Sequence, residues 1–216
     1  MTVTIRLEEE KDYRRVEEIT REAFWNLYVP GATEHFLAHT IRSSSDFIPE
    51  LTFVLELDGE VIGSIMYTKA KVIDDAGNEH PVISFGPVCI LPKYHRQGYG
   101  RLLIEHSIEE AKKLGFSAII IGGYPYHYHP YGFVGTKKYH ISMPDGKFYT
   151  GIMALPLYEG ALEGITGSIH FSPAMYPDES GLEAFDQTFP PKEKKVQASH
   201  LEFEKAASKI DTNSYE

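Results

Sequence analysis

From Leu51 to Leu91 the chain reads LTFVLELDGEVIGSIMYTKAKVIDDAGNEHPVISFGPVCIL. Two turn signals divide it into three β-rich runs. Asp58-Gly59 is a pair that accepts the positive φ of a two-residue hairpin, and Asp74–Asn78 (DDAGN) is a second polar turn. Runs joined this closely commit the chain to antiparallel pairing, because parallel neighbours need long crossovers. The third run, His80–Leu91, is interrupted by Gly86-Pro87. Proline has no N–H for the ladder, so this strand is expected to bulge or splay there.

The flanks fill in a mixed α/β domain. Thr2–Leu7 alternates polar and apolar residues, as a half-buried strand does. EEEKDYRRVEEITREAFWNLY then places Tyr13, Val16, Thr20, Ala23 and Leu27 on one helical stripe. A second, shorter helix is read over Ala32–Arg42. Beyond Leu91 a helix carries Ile104, Ser107, Ile108, Ala111 and Leu114 on one face, with Gly115 as its C-terminal cap. SAIIIGG is an uninterrupted apolar strand, the kind covered on both faces. Two further strands are read over Phe133–Ile141 and Tyr149–Pro156, turning at Pro144-Asp145-Gly146. The expected fold is α/β with a mostly antiparallel twisted sheet flanked by helices.

After Leu157 the composition shifts. GITGSIHF reads as one more edge strand, and ESGLEAFDQTF and KVQASHLEFEKAASKI as amphipathic helices separated by Pro190-Pro191. Residues 1–157 are thus expected to form the main domain, with 158–216 as a C-terminal extension packed on it.

Composition narrows the function. The 216 residues, 42% hydrophobic and 12% aromatic, are enough to build one generous core. A net charge of −10 disfavours nucleic acid as a partner and draws cationic molecules weakly. The single cysteine, Cys89, lies in an apolar run and reads as a small buried side chain. No signal core and no membrane-length apolar run is present in the sequence, so a reducing, cytoplasmic setting without membrane partners is expected.

His95–Leu103 (HRQGYGRLL) lies between a strand and a helix. The first turn of a helix holds N–H groups without intrahelical partners and favours negative charge, so this stretch can present backbone donors to an anion. Arg96 and Arg101 are placed to add charge. The dinucleotide fingerprint would need a third glycine where Leu103 stands, and the nucleoside-triphosphate loop needs Gly-Lys-Ser/Thr; both are excluded. ILPKYHRQGYGRLL resembles the acetyl-CoA loop of the GCN5-related N-acetyltransferase (GNAT) superfamily, with Gly98 and Gly100 at the two glycine positions and Pro92 after the bulged strand. His95 stands where that family has Gln or Arg. SFGPVCILP resembles the family's bulged strand, PELTFVLELDGEVIG its preceding hairpin, and GGYPYHYHPYGF its closing segment. The similarity covers about residues 3–157. It extends to a poorly characterised bacterial branch of predicted acetyltransferases, which shares the Ile-Pro-Glu-Leu run at Ile48–Leu51.

The resemblance implies an enzyme that moves an acetyl group from acetyl-CoA to a primary amine of a small molecule or protein, by direct attack and without metal. Val88, Cys89 and Ile90 would pair with the pantetheine arm. His95, Arg96, Gln97, Gly98, Tyr99, Gly100 and Arg101 would hold the diphosphate, and a backbone N–H near Val88 would face the carbonyl oxygen. Tyr128, five residues before Phe133, would give a proton to the departing thiolate. One branch carries a glutamate base at the position of Ser84; a serine is too weakly basic, and His80, on the same strand face, is a candidate relay. Glu22, Glu34, His35 and Glu50 are further candidates for the base. His127 and His129 form an H-x-H pair without the further ligands a metal needs. Trp25, Tyr28, Phe36 and Phe47 are candidates for an apolar acceptor wall. A non-catalytic CoA sensor or scaffold of the same fold is the alternative, and a homodimer is left open.

Overall fold

The computed structural model describes residues 1–215. In chain order its main elements are β1 (Val3–Leu7), α1 (Tyr13–Phe24), α2 (Glu34–Ile41), β2 (Phe53–Leu57), β3 (Glu60–Ile73), β4 (Glu79–Ile90), α3 (Tyr99–Lys113) and β5 (Ala118–Gly122). There follow the single turn α4 (Pro125–Tyr128), β6 (Val134–Gly135), β7 (Ile141–Ser142), β8 (Ile152–Pro156), β9 (Gly167–Phe171), α5 (Leu182–Asp186) and α6 (Ala198–Ala207). The strands form one nine-stranded sheet in the order β1-β2-β3-β4-β5-β8-β6, with β9 joining β3 to β7. Most pairs are antiparallel, as expected from the sequence; β4–β5 and β7–β9 are the parallel ones.

Asp58 and Gly59 take φ of 51° and 84°, the mirror-image turn that joins β2 to β3. On β4 the expected irregularity is a bulge. Tyr67 pairs with Phe85 and Ile65 with Val88, so Gly86 and Pro87 together oppose Met66. The larger core packs Val16 and Ile19 of α1, Leu103 and Ile108 of α3, and Ile65, Phe85 and Ile121 of the sheet. Burying each of these side chains is worth about 1.5–3 kcal/mol.

Three local expectations are corrected. The α1 stripe buries Val16 and Thr20, but the helix ends at Phe24 and Leu27 is exposed, because Asn26 turns the chain at φ 59°. Leu114 is likewise exposed beyond α3. The strand expected over Phe133–Ile141 is two short pieces separated by a 3-10 turn at Thr136–Tyr139. The pieces pair with different strands, β8 and β9, and the chain must turn to reach both.

Residues 158–215 extend the sheet and pack on its helices. β9 runs along β3 from Ala70 to Ile73, taking the edge that β2 leaves free, with β7 on its other side. α5 docks on α1 and α2. Asp186 pairs with Arg21 at 2.7 Å, and Phe185 and Phe189 pack on His35. Asn26 then ties down the segment before α6. Its Nδ2 donates to Glu193 O, and its Oδ1 accepts from Lys195 N.

Candidate active site

β4 and β5 pair at one position, Ile83 with Ile119. Past it, the bulge at Gly86-Pro87 carries β4 away with β3, and the sheet splits. Leu91 N donates to Ile62 O on the β3 side. By the two-residue alternation of an antiparallel strand, Val88 and Ile90 turn their N–H and C=O groups outward, to the open edge. The Ile90 carbonyl confirms that direction: it accepts a 2.7 Å bond from His95 Nε2. His95 therefore ties the loop to the strand, a job its place in the motif did not suggest. Cys89 faces the opposite way, with its Sγ 3.5 Å from Thr20 Oγ1 and Ser64 Oγ. Burial pushes this thiol up, so it stays protonated and packs.

The loop after β4 is a short turn, Pro92–Tyr94, followed by His95 to Gly98. Gly98 caps α3 at φ 89°, a conformation that favours glycine, and no side chain caps the helix. The first bond of the helix runs from Leu102 N to Gly98 O. The N–H groups of Tyr99, Gly100 and Arg101 consequently have no intrahelical acceptor. A Cβ on Gly100 would lie 3.6 Å from Ile90 Cγ1, so this helix end rests directly on the open strand. Arg101 gives its Nε to Glu105 at 2.7 Å, Gln97 bonds Lys93 O, and among the described residues Arg96 has no ion-pair partner.

The split opens into a cleft of about 1240 Å³. Pro87 and Val88 form one side and Tyr128 another. Phe85 and Phe133 hold the Tyr128 ring, with centroids 5.7 and 5.8 Å away. Gly123 makes room for it: a Cβ there would sit 2.5 Å from Tyr128 Cε2. Burial pushes the phenol up to about 12, so it is a proton donor throughout the neutral range. Its hydroxyl has no hydrogen-bond partner among the described residues. His127 also lines the cleft, and burial lowers its imidazole; His129 does not line it.

The facing wall comes from far along the chain. Phe24, Tyr28 and Glu34 belong to α1, α2 and their link, and Phe203 belongs to α6. Tyr28 stacks on Phe203 at 4.3 Å and tilts against Tyr124 at 6.4 Å. The contribution of α6 was not legible, since nothing in its sequence marks it as other than an amphipathic helix. Of the aromatic residues read as acceptor wall, Tyr28 lines the cleft. Trp25 instead donates to Glu193 O, Phe36 is buried beside Phe185, and Phe47 bridges to Thr68.

The base candidates separate in the same way. Ser84 is buried opposite Thr68 and does not reach the cleft lining. His80 shares its strand but lies four residues earlier, roughly 13 Å back along β4, bonded to Asp74 Oδ2 at 3.0 Å. Glu22 pairs with Lys192, Glu50 lies outside the cleft, and His35 is enclosed beneath α5. Glu34 is the one of these that lines the cleft. Among the described residues no group of three His, Cys, Asp or Glu side chains is placed to hold a metal, and no helix is long and apolar enough to cross a membrane.

Comparison with known proteins agrees with this fold. Escherichia coli YhbS, a GNAT family N-acetyltransferase solved with CoA, superposes with a TM-score of 0.71 at 22% identity, over 81% of this chain and 92% of that one. A GNAT family acetyltransferase from Brucella melitensis, solved with acetyl-CoA, gives 0.64 at 20% identity over 80% and 97%. A probable hydrolase of Bacillus subtilis, YhcX, is 27% identical over 176 residues, 73% of this chain; the match spans about a third of that relative's length. The model of the acetyltransferase (GNAT) family matches residues 19–127, from the middle of α1 through β4, the glycine loop and α3 to α4. The chain belongs to the acetyltransferase (GNAT) family.

Proposed function

We propose that this chain is an acetyl-CoA-dependent N-acetyltransferase that acetylates a primary amine by direct attack. One observation carries the reading. An open strand edge and a free phenol line one cleft, and the uncapped N-terminus of α3 rests on the same strand at Ile90.

The residues fit the coenzyme. Three orphan N–H groups at Tyr99, Gly100 and Arg101 are the donors a diphosphate needs, with Arg96 beside them. The outward N–H and C=O of Val88 match an amide-bearing pantetheine arm laid along β4. His95 already occupies the Ile90 carbonyl, so Ile90 offers its N–H. Acetyl-CoA, when bound, supplies the activated acetyl group as a thioester. The N–H of Val88 then donates toward the carbonyl oxygen as it gains charge. Tyr128 holds its proton at neutral pH and gives it to the departing sulfur. Cys89, protonated and facing α1, takes no part.

Two measurements test this. Acetyl-CoA binds the native state, so it raises the melting temperature in a concentration-dependent way. Thiol release from acetyl-CoA then accelerates when a primary amine is added. A melting shift without amine-dependent thiol release would mark a CoA sensor, and no shift at all would remove the reading.

A further inference from the structure

The cleft also carries information about its acceptor. Its inner wall is aromatic: Phe24, Tyr28, Tyr124 and Phe203 stand together, with Tyr28 and Phe203 stacked. Its charges are of one sign. The described residues lining it include the carboxylates Glu34, Asp145 and Glu204 and no Lys or Arg. Asp145 and Glu204 are exposed, whereas Glu34 is half-buried at the start of α2, beside Tyr28. Glu34 Oε2 accepts from Thr33 N at 3.0 Å. Among the described residues no Lys, Arg or His pairs with this carboxylate. A half-buried carboxylate facing an aromatic wall, with no cation of its own, is complementary to an ammonium on an apolar body.

Accepting that the chain is an N-acetyltransferase, we infer that its acceptor is a small arylalkyl primary amine, with the ammonium held by Glu34 and the ring laid against the Tyr28–Phe203 stack. Glu34 then also receives the proton the amine loses before attack. Burial raises its carboxyl, which moves its basicity toward neutrality. α6 becomes the specificity element, since it brings Phe203.

The test is thiol-release kinetics with saturating acetyl-CoA and four acceptors: 2-phenylethylamine, propylamine, spermidine and a lysine-containing peptide. We expect kcat/KM for 2-phenylethylamine to exceed the other three by at least about tenfold. Glu34→Gln keeps the acceptor for Thr33 N but loses the charge, and should lower kcat/KM for every amine about 100-fold while leaving the acetyl-CoA melting shift intact. Phe203→Ala should raise KM for 2-phenylethylamine about tenfold and KM for propylamine by much less. Faster turnover of spermidine or the peptide, or equal effects of Phe203→Ala on both monoamines, would overturn this inference and leave the acetyltransferase reading standing. Absence of both the melting shift and turnover would instead remove the reading beneath it.

Discussion

The two halves of the proposed site are built in opposite ways. The proposed coenzyme half is backbone: β4 from Val88, the loop and the first turn of α3 lie within fourteen consecutive residues, Val88 to Arg101. The proposed acceptor half is side chains that line the cleft, gathered from Phe24–Glu34, Gly122–Tyr128, Met143–Ile152 and His200–Ser208. A backbone site needs only that the chain adopt a particular path, and glycine and proline at fixed spacing announce that path. A side-chain site needs distant segments to converge, and no local spacing records the convergence. The coenzyme side should therefore tolerate loss of its charged side chains and fail when its path changes. The acceptor side should behave in the reverse manner.

The largest expected effect tests the side-chain half. Tyr128→Phe removes one hydroxyl from a ring whose position is set by Phe85, Phe133 and the space at Gly123. A proton donor to the leaving group is worth about 10²–10⁴ in rate. We expect kcat to fall at least about 100-fold with acetyl-CoA affinity unchanged, read by single-turnover thiol release and calorimetry. Equal turnover in the variant would take the proton-donor role away from Tyr128.

Next in size is a paired test of the backbone half. Gly98 sits at φ 89°, and a Cβ at this position would meet nothing within 4 Å, so the restriction there is conformational and not steric. A β-branched residue strains this geometry by about 1–3 kcal/mol. Gly98→Val should weaken acetyl-CoA binding roughly 10- to 100-fold by displacing the first turn of α3. Arg96→Ala, which removes an exposed charge screened by salt, should weaken it less than about fivefold. If Arg96→Ala proves the more damaging of the two, the coenzyme side is not a backbone site.

The same contrast explains what the sequence disclosed. The antiparallel meander, the bulge at Gly86-Pro87 and the glycine loop ahead of α3 all rest on residues whose backbone limits are local. The place of Tyr128 at the cleft was legible through its distance from Phe133 in a recognisable closing segment. His95 was not, because its bond to Ile90 O depends on how the loop folds back on the strand. Glu34 stood in the sequence as one acid among 31 Asp and Glu. Its distinction is burial beside Tyr28, which tertiary packing alone creates. His80 misled for a related reason: period two places it on the Ser84 face correctly, but a face says nothing about distance along the strand.

The smallest expected effect concerns how the acceptor wall is anchored. His35 is fully buried between α2 and α5, ringed by Phe185 and Phe189, with Nε2 3.1 Å from Asp186 Oδ1. Burial lowers its imidazole from 6.5 to about 4, against the pull of Asp186 and with Arg21 and Arg14 adding to the lowering. Above pH 6.5 neither the folded nor the unfolded chain holds this proton, and His35 is neutral toward stability. As pH falls from 6.5 toward 4, the unfolded chain binds a proton that the folded chain refuses, so stability declines across that window and the slope ends near 4. His35→Leu keeps the packing and removes the titration. Urea midpoints measured at pH 7 and pH 4.5 should therefore drop less in the variant than in the parent. Acetyl-CoA affinity at pH 7 should be the same in both, because α5 packs on α1 and α2 and touches none of the backbone proposed to hold the diphosphate.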